Sequence, residues 1–86
     1  MVDYKNKENI QAAVFRRLVD HLQENTSVQN IDLMNLAGFC RNCLSKWTVE
    51  EAEKINVVLD YEDIRTDIYG MKYSEWKKKY QTPIKK

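Results

Sequence analysis

Apolar positions recur at helical spacing from the first turns of the chain. Ile10, Ala13, Val14, Leu18, His21 and Leu22 form one stripe, and a period of about 3.6 residues predicts a helix over roughly residues 7–24. Asn25-Thr26-Ser27 reads as a stop and a connector. A second stripe, Leu33, Leu36, Ala37, Cys40, Cys43, Leu44 and Trp47, predicts one continuous helix with Asn30 or Asp32 as its N-cap. Thr48 and Glu51 then have the form of a capping box, so a third helix is predicted to start there and to carry Ala52 and Ile55, with Val58 and Leu59 beyond. Asp60-Tyr61-Glu62-Asp63 resembles a further helix start, with acids at the positive helix end. That fourth helix would bury Ile64, Ile68 and Tyr69 and stop at Gly70. Ser74 is predicted to cap a last helix from Glu75 to about Gln81, which Thr82-Pro83 terminates.

Composition supports this pattern. Two Gly and one Pro in 86 residues are too few for turn-rich β architecture. The expected class is all-α, a small compact bundle of about five short helices. It should form a single helical domain over residues 1–86, with about 1–6 and 82–86 frayed. No apolar stretch approaches membrane-spanning length, and the opening residues lack the apolar core of a secretory signal. Two closely spaced thiols then suit a reducing compartment, so a cytoplasmic location away from membranes is expected.

Charge redraws the picture only locally. The net charge of +1 removes the global electrostatic case for nucleic-acid binding. Residues 48–69 carry two bases and seven acids, whereas residues 70–86 carry six Lys and one Glu. Lys72, Lys77, Lys78, Lys79, Lys85 and Lys86 could meet a phosphate surface, with Tyr73, Trp76 and Tyr80 stacking on bases. The same aromatics share one helical face, however, as in a helix that docks on a core. Nucleic acid is therefore not the expected partner.

Residues 28–47 hold the candidate chemistry. Asn35, Gly38 and Asn42 are poor helix formers, and Asn35, Arg41 and Asn42 suit directed hydrogen bonds. They would serve a ligand or partner surface, or else bridge neighbouring helices. Cys40-Arg41-Asn42-Cys43 is the one thiol pair, and it admits three readings. Both thiols lie on the apolar stripe and can be core residues. They can be ligands of zinc or iron together with His21, although zinc usually takes four ligands and no third Cys or second His is present. They can also form a redox-active dithiol, a reading that gains if Gly38 breaks the helix and Phe39 begins another. Ser27, Ser45 and Ser74 lack a nucleophile-elbow setting, and there is no glycine-rich phosphate loop. Glu50, Glu51 and Glu53 have no Glu-x-x-His partner. No catalytic residues are assigned. A non-enzymatic interaction or regulatory module is expected. Nine aromatic residues exceed the needs of so small a core and point to self-association as a homodimer, or to an unidentified protein partner.

The stretch Val28 to Trp47, with Phe39-Cys40-Arg41-Asn42-Cys43-Leu44-Ser45-Lys46-Trp47 at its heart, resembles the signature of a family of short bacterial proteins. That family is catalogued as domain of unknown function 1244. Ala12 to Leu22 and Tyr69 to Lys77 are similar to it as well. The sequence departs from the family pattern at Thr48, where an aromatic is usual, and its stretch after Gln81 is shorter. The resemblance implies a compact all-helical bacterial cytoplasmic protein and supplies no reaction. It places His21, Cys40 and Cys43 in family-like motifs, and equally Asn30, Asp32, Asn35, Arg41 and Asn42.

Overall fold

A computed structural model describes residues 6–82. Among them are five helices: α1 (Lys7–Glu24), α2 (Asn30–Ala37), α3 (Arg41–Lys54), α4 (Tyr61–Tyr69) and α5 (Tyr73–Tyr80), with no strand. The all-α class and the helix count are as the sequence predicts. The fraying expected at 1–5 and 83–86 falls outside the described residues.

Several boundaries differ from expectation, for identifiable reasons. The second apolar stripe crosses a break, so the single helix expected over its length is two. Gly38 adopts φ +75° and its N–H donates to Met34 O at 3.0 Å, closing α2. Glycine enters this left-handed region without steric cost, which a helix end exploits. Cys40 is extended, with φ −142° and ψ −178°, and α3 begins at Arg41. The capping box at Thr48 is not used. α3 is already running there, and the Thr48 hydroxyl donates back to Leu44 O at 2.8 Å. α3 ends at Lys54, before Asn56 turns to φ +61°. Ala52 is buried as predicted, but Ile55 and Val58 are exposed.

The later punctuation follows local rules. The Asp60 carboxylate accepts the Asp63 N–H at 3.0 Å and caps α4, and Gly70 at φ +76° closes it. α5 begins one residue before Ser74, with Lys72 at the N-cap, so Ser74 is not the cap. At the start of α2 the Gln29 N–H donates to the Asp32 carboxylate at 3.1 Å, which puts Asp32 inside the first turn rather than at the cap.

The core joins α1, α3, α4 and α5 through Leu22, Leu44, Ile68, Tyr69 and Trp76. Tyr69 stands edge-on to Trp76 at 5.0 Å between ring centroids and to Tyr73 at 5.2 Å, the geometry that aromatic quadrupoles favour. The α5 aromatics thus turn inward, with Trp76 only 1% exposed. α1 joins this core only through its second half, where Leu18 and Val19 flank Leu22. Every residue from Lys7 to Arg17 is exposed. The projecting half-helix stretches the molecule to 47 × 30 × 20 Å, with a radius of gyration of 14.7 Å. A compact chain of this length would have ~12 Å. Among the described residues, no helix is long and apolar enough to cross a membrane.

Candidate functional site

The break at Gly38 places Arg41 in the first turn of α3, facing inward, 1% exposed. Its guanidinium donates to Val28 O at 2.8 Å, Asn25 O at 3.0 Å, Asn30 Oδ1 at 3.1 Å and Leu22 O at 3.2 Å. It also lies over the Trp76 ring, 4.9 Å from the centroid. Leu22 and Asn25 stand at the C-terminal end of α1, where helix carbonyls lack partners and the helix dipole is negative. A side chain from α3 therefore caps α1. Among the described residues no carboxylate shares this burial, and desolvation lowers the Arg41 pKa while Tyr69 and Cys40 push it back up. Ser45, fully buried one turn on, donates to Arg41 O at 3.1 Å.

Beside this hub, the Tyr69 hydroxyl accepts from Asn30 Nδ2 at 3.0 Å and donates to Asn42 Oδ1 at 2.7 Å. Burial raises the Tyr69 pKa, with the Asn30 hydrogen bond opposing it. The Gln29 side chain closes the other flank, donating to Tyr80 O at 2.8 Å and accepting from Thr82 N at 3.0 Å. Asn42, Asn30, Gln29, Ile31, Met34 and Tyr73 are among the residues lining a cleft of about 240 Å³. Of the three residues expected at a ligand or partner surface, the structure separates all. Arg41 is interior, Asn42 bridges to α4 at the edge of the cleft, and Asn35 is exposed on α2. Arg41 therefore contributes no surface, because its charge is consumed by the end of α1 and the connector that follows.

The thiol pair sits at the start of α3, with Cys40 at the N-cap and Cys43 in the first turn. Both cysteines are free, with their sulfurs 3.7 Å apart. Cys40 is buried, and desolvation raises its pKa more than the neighbouring amides of Cys43 and Asn42 lower it. The helix-start position that a redox dithiol needs is present, while the thiol shift at Cys40 runs opposite to the depressed pKa such chemistry uses. Met34 Sδ of α2 lies 3.9 Å from Cys43 Sγ. Sequence reasoning missed this neighbour, since a methionine beside the apolar stripe carries no signal of its own. His21 is exposed on α1 and does not join the thiols. Among the described residues, no group of three or more His, Cys, Asp or Glu is placed to hold a metal ion.

A different surface dominates the outside. Ile10, Val14 and Phe15 on α1 and Trp47 on α3 are all exposed, Val14 by 63% and Trp47 by 48%. Ala12, Phe15, Leu44, Trp47, Thr48 and Glu51 line an open groove of about 410 Å³ between the two helices.

The profile of a family described as "Protein of unknown function (DUF1244)" matches residues 28–86. The match takes in the two stretches Val28 to Trp47 and Tyr69 to Lys77; Ala12 to Leu22, in α1, precedes it. No curated protein matches the chain.

Proposed function

We propose that this chain, which belongs to the DUF1244 family of proteins of unknown function, is a non-enzymatic interaction or regulatory module that works as a homodimer. One observation carries the reading. Ten large hydrophobic side chains are exposed among the described residues, and two of them, Phe15 and Trp47, line one open groove. Scattered exposed apolar residues are ordinary, but a contiguous face is not. Ala12 and Phe15 of α1 face Leu44 and Trp47 of α3 across the groove, while Ile10 and Val14 form a separate exposed pair on the other side of α1.

A second copy suits this face by charge. The exposed half of α1 carries Lys7, Arg16 and Arg17 against Glu8, whereas the end of α3 carries Glu50, Glu51 and Glu53 against Lys54. Around a two-fold axis each copy presents the basic helix and receives it along the acidic rim, twice per dimer. The apolar floor supplies the free energy and the rim sets the register. Two free thiols in near contact fit a reducing compartment, so the cytoplasm is the proposed location.

Sedimentation and light scattering over a concentration series test this. The wild type should be dimeric, and Phe15→Glu and Trp47→Glu should be monomeric with unchanged helical circular dichroism. A wild-type chain that stays monomeric to its highest soluble concentration refutes the homodimer.

A further inference from the structure

The α2–α3 junction gathers three sulfur atoms from one ten-residue stretch, Met34 to Cys43. Cys40 Sγ and Cys43 Sγ are 3.7 Å apart, and Met34 Sδ lies 3.9 Å from Cys43 Sγ. We propose that Cys40, Cys43 and Met34 form a binding site for a monovalent copper ion, held by two thiolates and one thioether.

The spacing supports coordination. A metal ion ~2.3 Å from each sulfur separates two ligands by ~3.8 Å in tetrahedral geometry and ~4.0 Å in trigonal geometry. The Cys40–Cys43 and Cys43–Met34 separations both lie close to these values. The donor set selects the metal. Thioether sulfur is a soft ligand suited to Cu(I), whereas zinc draws on Cys, His and carboxylates. No His, Asp or Glu stands with the two thiols to complete a zinc set among the described residues.

Burial of Cys40 disfavours its thiolate, and two features of the surroundings offset this. Binding displaces one proton from each thiol to water and leaves the site with one net negative charge. It sits on the N-terminus of the 14-residue α3, where the helix dipole favours negative charge. Arg41, whose positive charge interacts with Cys40, adds to this from within. Exposure grades across the site, from buried Cys40 through half-buried Cys43 to Met34 at 41%. An ion can therefore enter and leave from the Met34 side without unfolding.

The test is anaerobic titration of the reduced, metal-free chain with Cu(I) against a chromophoric Cu(I) chelator. One ion per chain is expected, with an X-ray absorption shell of three sulfurs. Met34→Leu, at an exposed position, should keep the fold by circular dichroism and weaken binding about tenfold or more. Cys43→Ser should abolish binding at the same chelator concentration. Equal affinity in Met34→Leu, one ion shared by two chains, a nitrogen or oxygen ligand in the shell, or no competition with the chelator would each overturn the assignment.

Discussion

Replacing Arg41 with methionine keeps the length of an unbranched side chain and removes the cap on α1. Leu22 O then keeps only the long 3.3 Å hydrogen bond from the Asn25 N–H, at a net cost of ~1 kcal/mol. Val28 O, Asn25 O and Asn30 Oδ1 are half-buried, so water reaches them in part and ~0.5 kcal/mol each is the expected loss. The guanidinium over Trp76 contributes ~1 kcal/mol more. The sum is about 4 kcal/mol, against a total stability of ~4–13 kcal/mol for a chain of this length. Arg41→Met should therefore lose a third or more of the total stability. Arg41→Lys keeps the charge, but one ammonium cannot span four acceptors, and about half the loss should follow. Urea unfolding followed by circular dichroism measures both, and calorimetry should show Arg41→Lys melting ~8–16 °C below wild type. A methionine variant within ~1 kcal/mol of wild type, or a lysine variant that matches it, refutes the capping role.

Two further outcomes follow from geometry and burial. Gly38→Ala and Gly70→Ala both force an L-residue into positive φ, at ~1–2 kcal/mol. Nothing lies within 4 Å of a Cβ at Gly38, whereas one at Gly70 meets Gln23 Cδ at 3.0 Å and disturbs its hydrogen bonds to Asp67 O and Ile68 O. Chemical denaturation should therefore rank Gly70→Ala as the costlier by ~1 kcal/mol, and equal costs would count against that packing. Tyr69 binds its proton more tightly folded than unfolded, because burial disfavours the phenolate among Asn30, Asn42, Tyr73 and Arg41. Stability should then be flat in this respect up to about pH 10, the ordinary phenol value, and fall above it by at most ~1.4 kcal/mol per pH unit. Tyr69→Phe should lose that alkaline slope, and an unchanged slope would remove Tyr69 as its source.

The elements legible in the sequence are those whose determinants are local. The stripe ending at Leu22, the Asp60 cap and Gly70 each act within a turn of their own position, so spacing alone reveals them. The break at Gly38 was hidden by a coincidence of phase. Leu33, Cys40 and Leu44 keep helical spacing across two helices, and the glycine between them was the one signal against continuity. Thr48 shows the converse, a start signal overridden because its helix had begun seven residues earlier. The centre of the fold was less visible. Arg41 binds groups 11 to 19 residues away, and nothing in its neighbourhood marks a buried cation. Asn42 reads in sequence either as part of a ligand or partner surface or as a bridge between helices, and it takes the second role, its carbonyl oxygen accepting from a tyrosine 27 residues on. Met34 joins the cysteines only because the chain turns at Gly38.

The uneven burial of α1 divides one continuous helix into two energetic classes. Its last turns are clamped by Leu18, Val19, Leu22 and the Arg41 hydrogen bonds. Its first three turns touch solvent on every side, and a helix that short has little intrinsic persistence in water. The cooperative folding unit thus ends in mid-helix, near Leu18, rather than at a loop. Amide exchange along α1 should step there from fast local opening to the protection of the global fold. Association through the projecting turns would move that step toward Lys7, so the length of the protected segment reads out how much of the chain is bound.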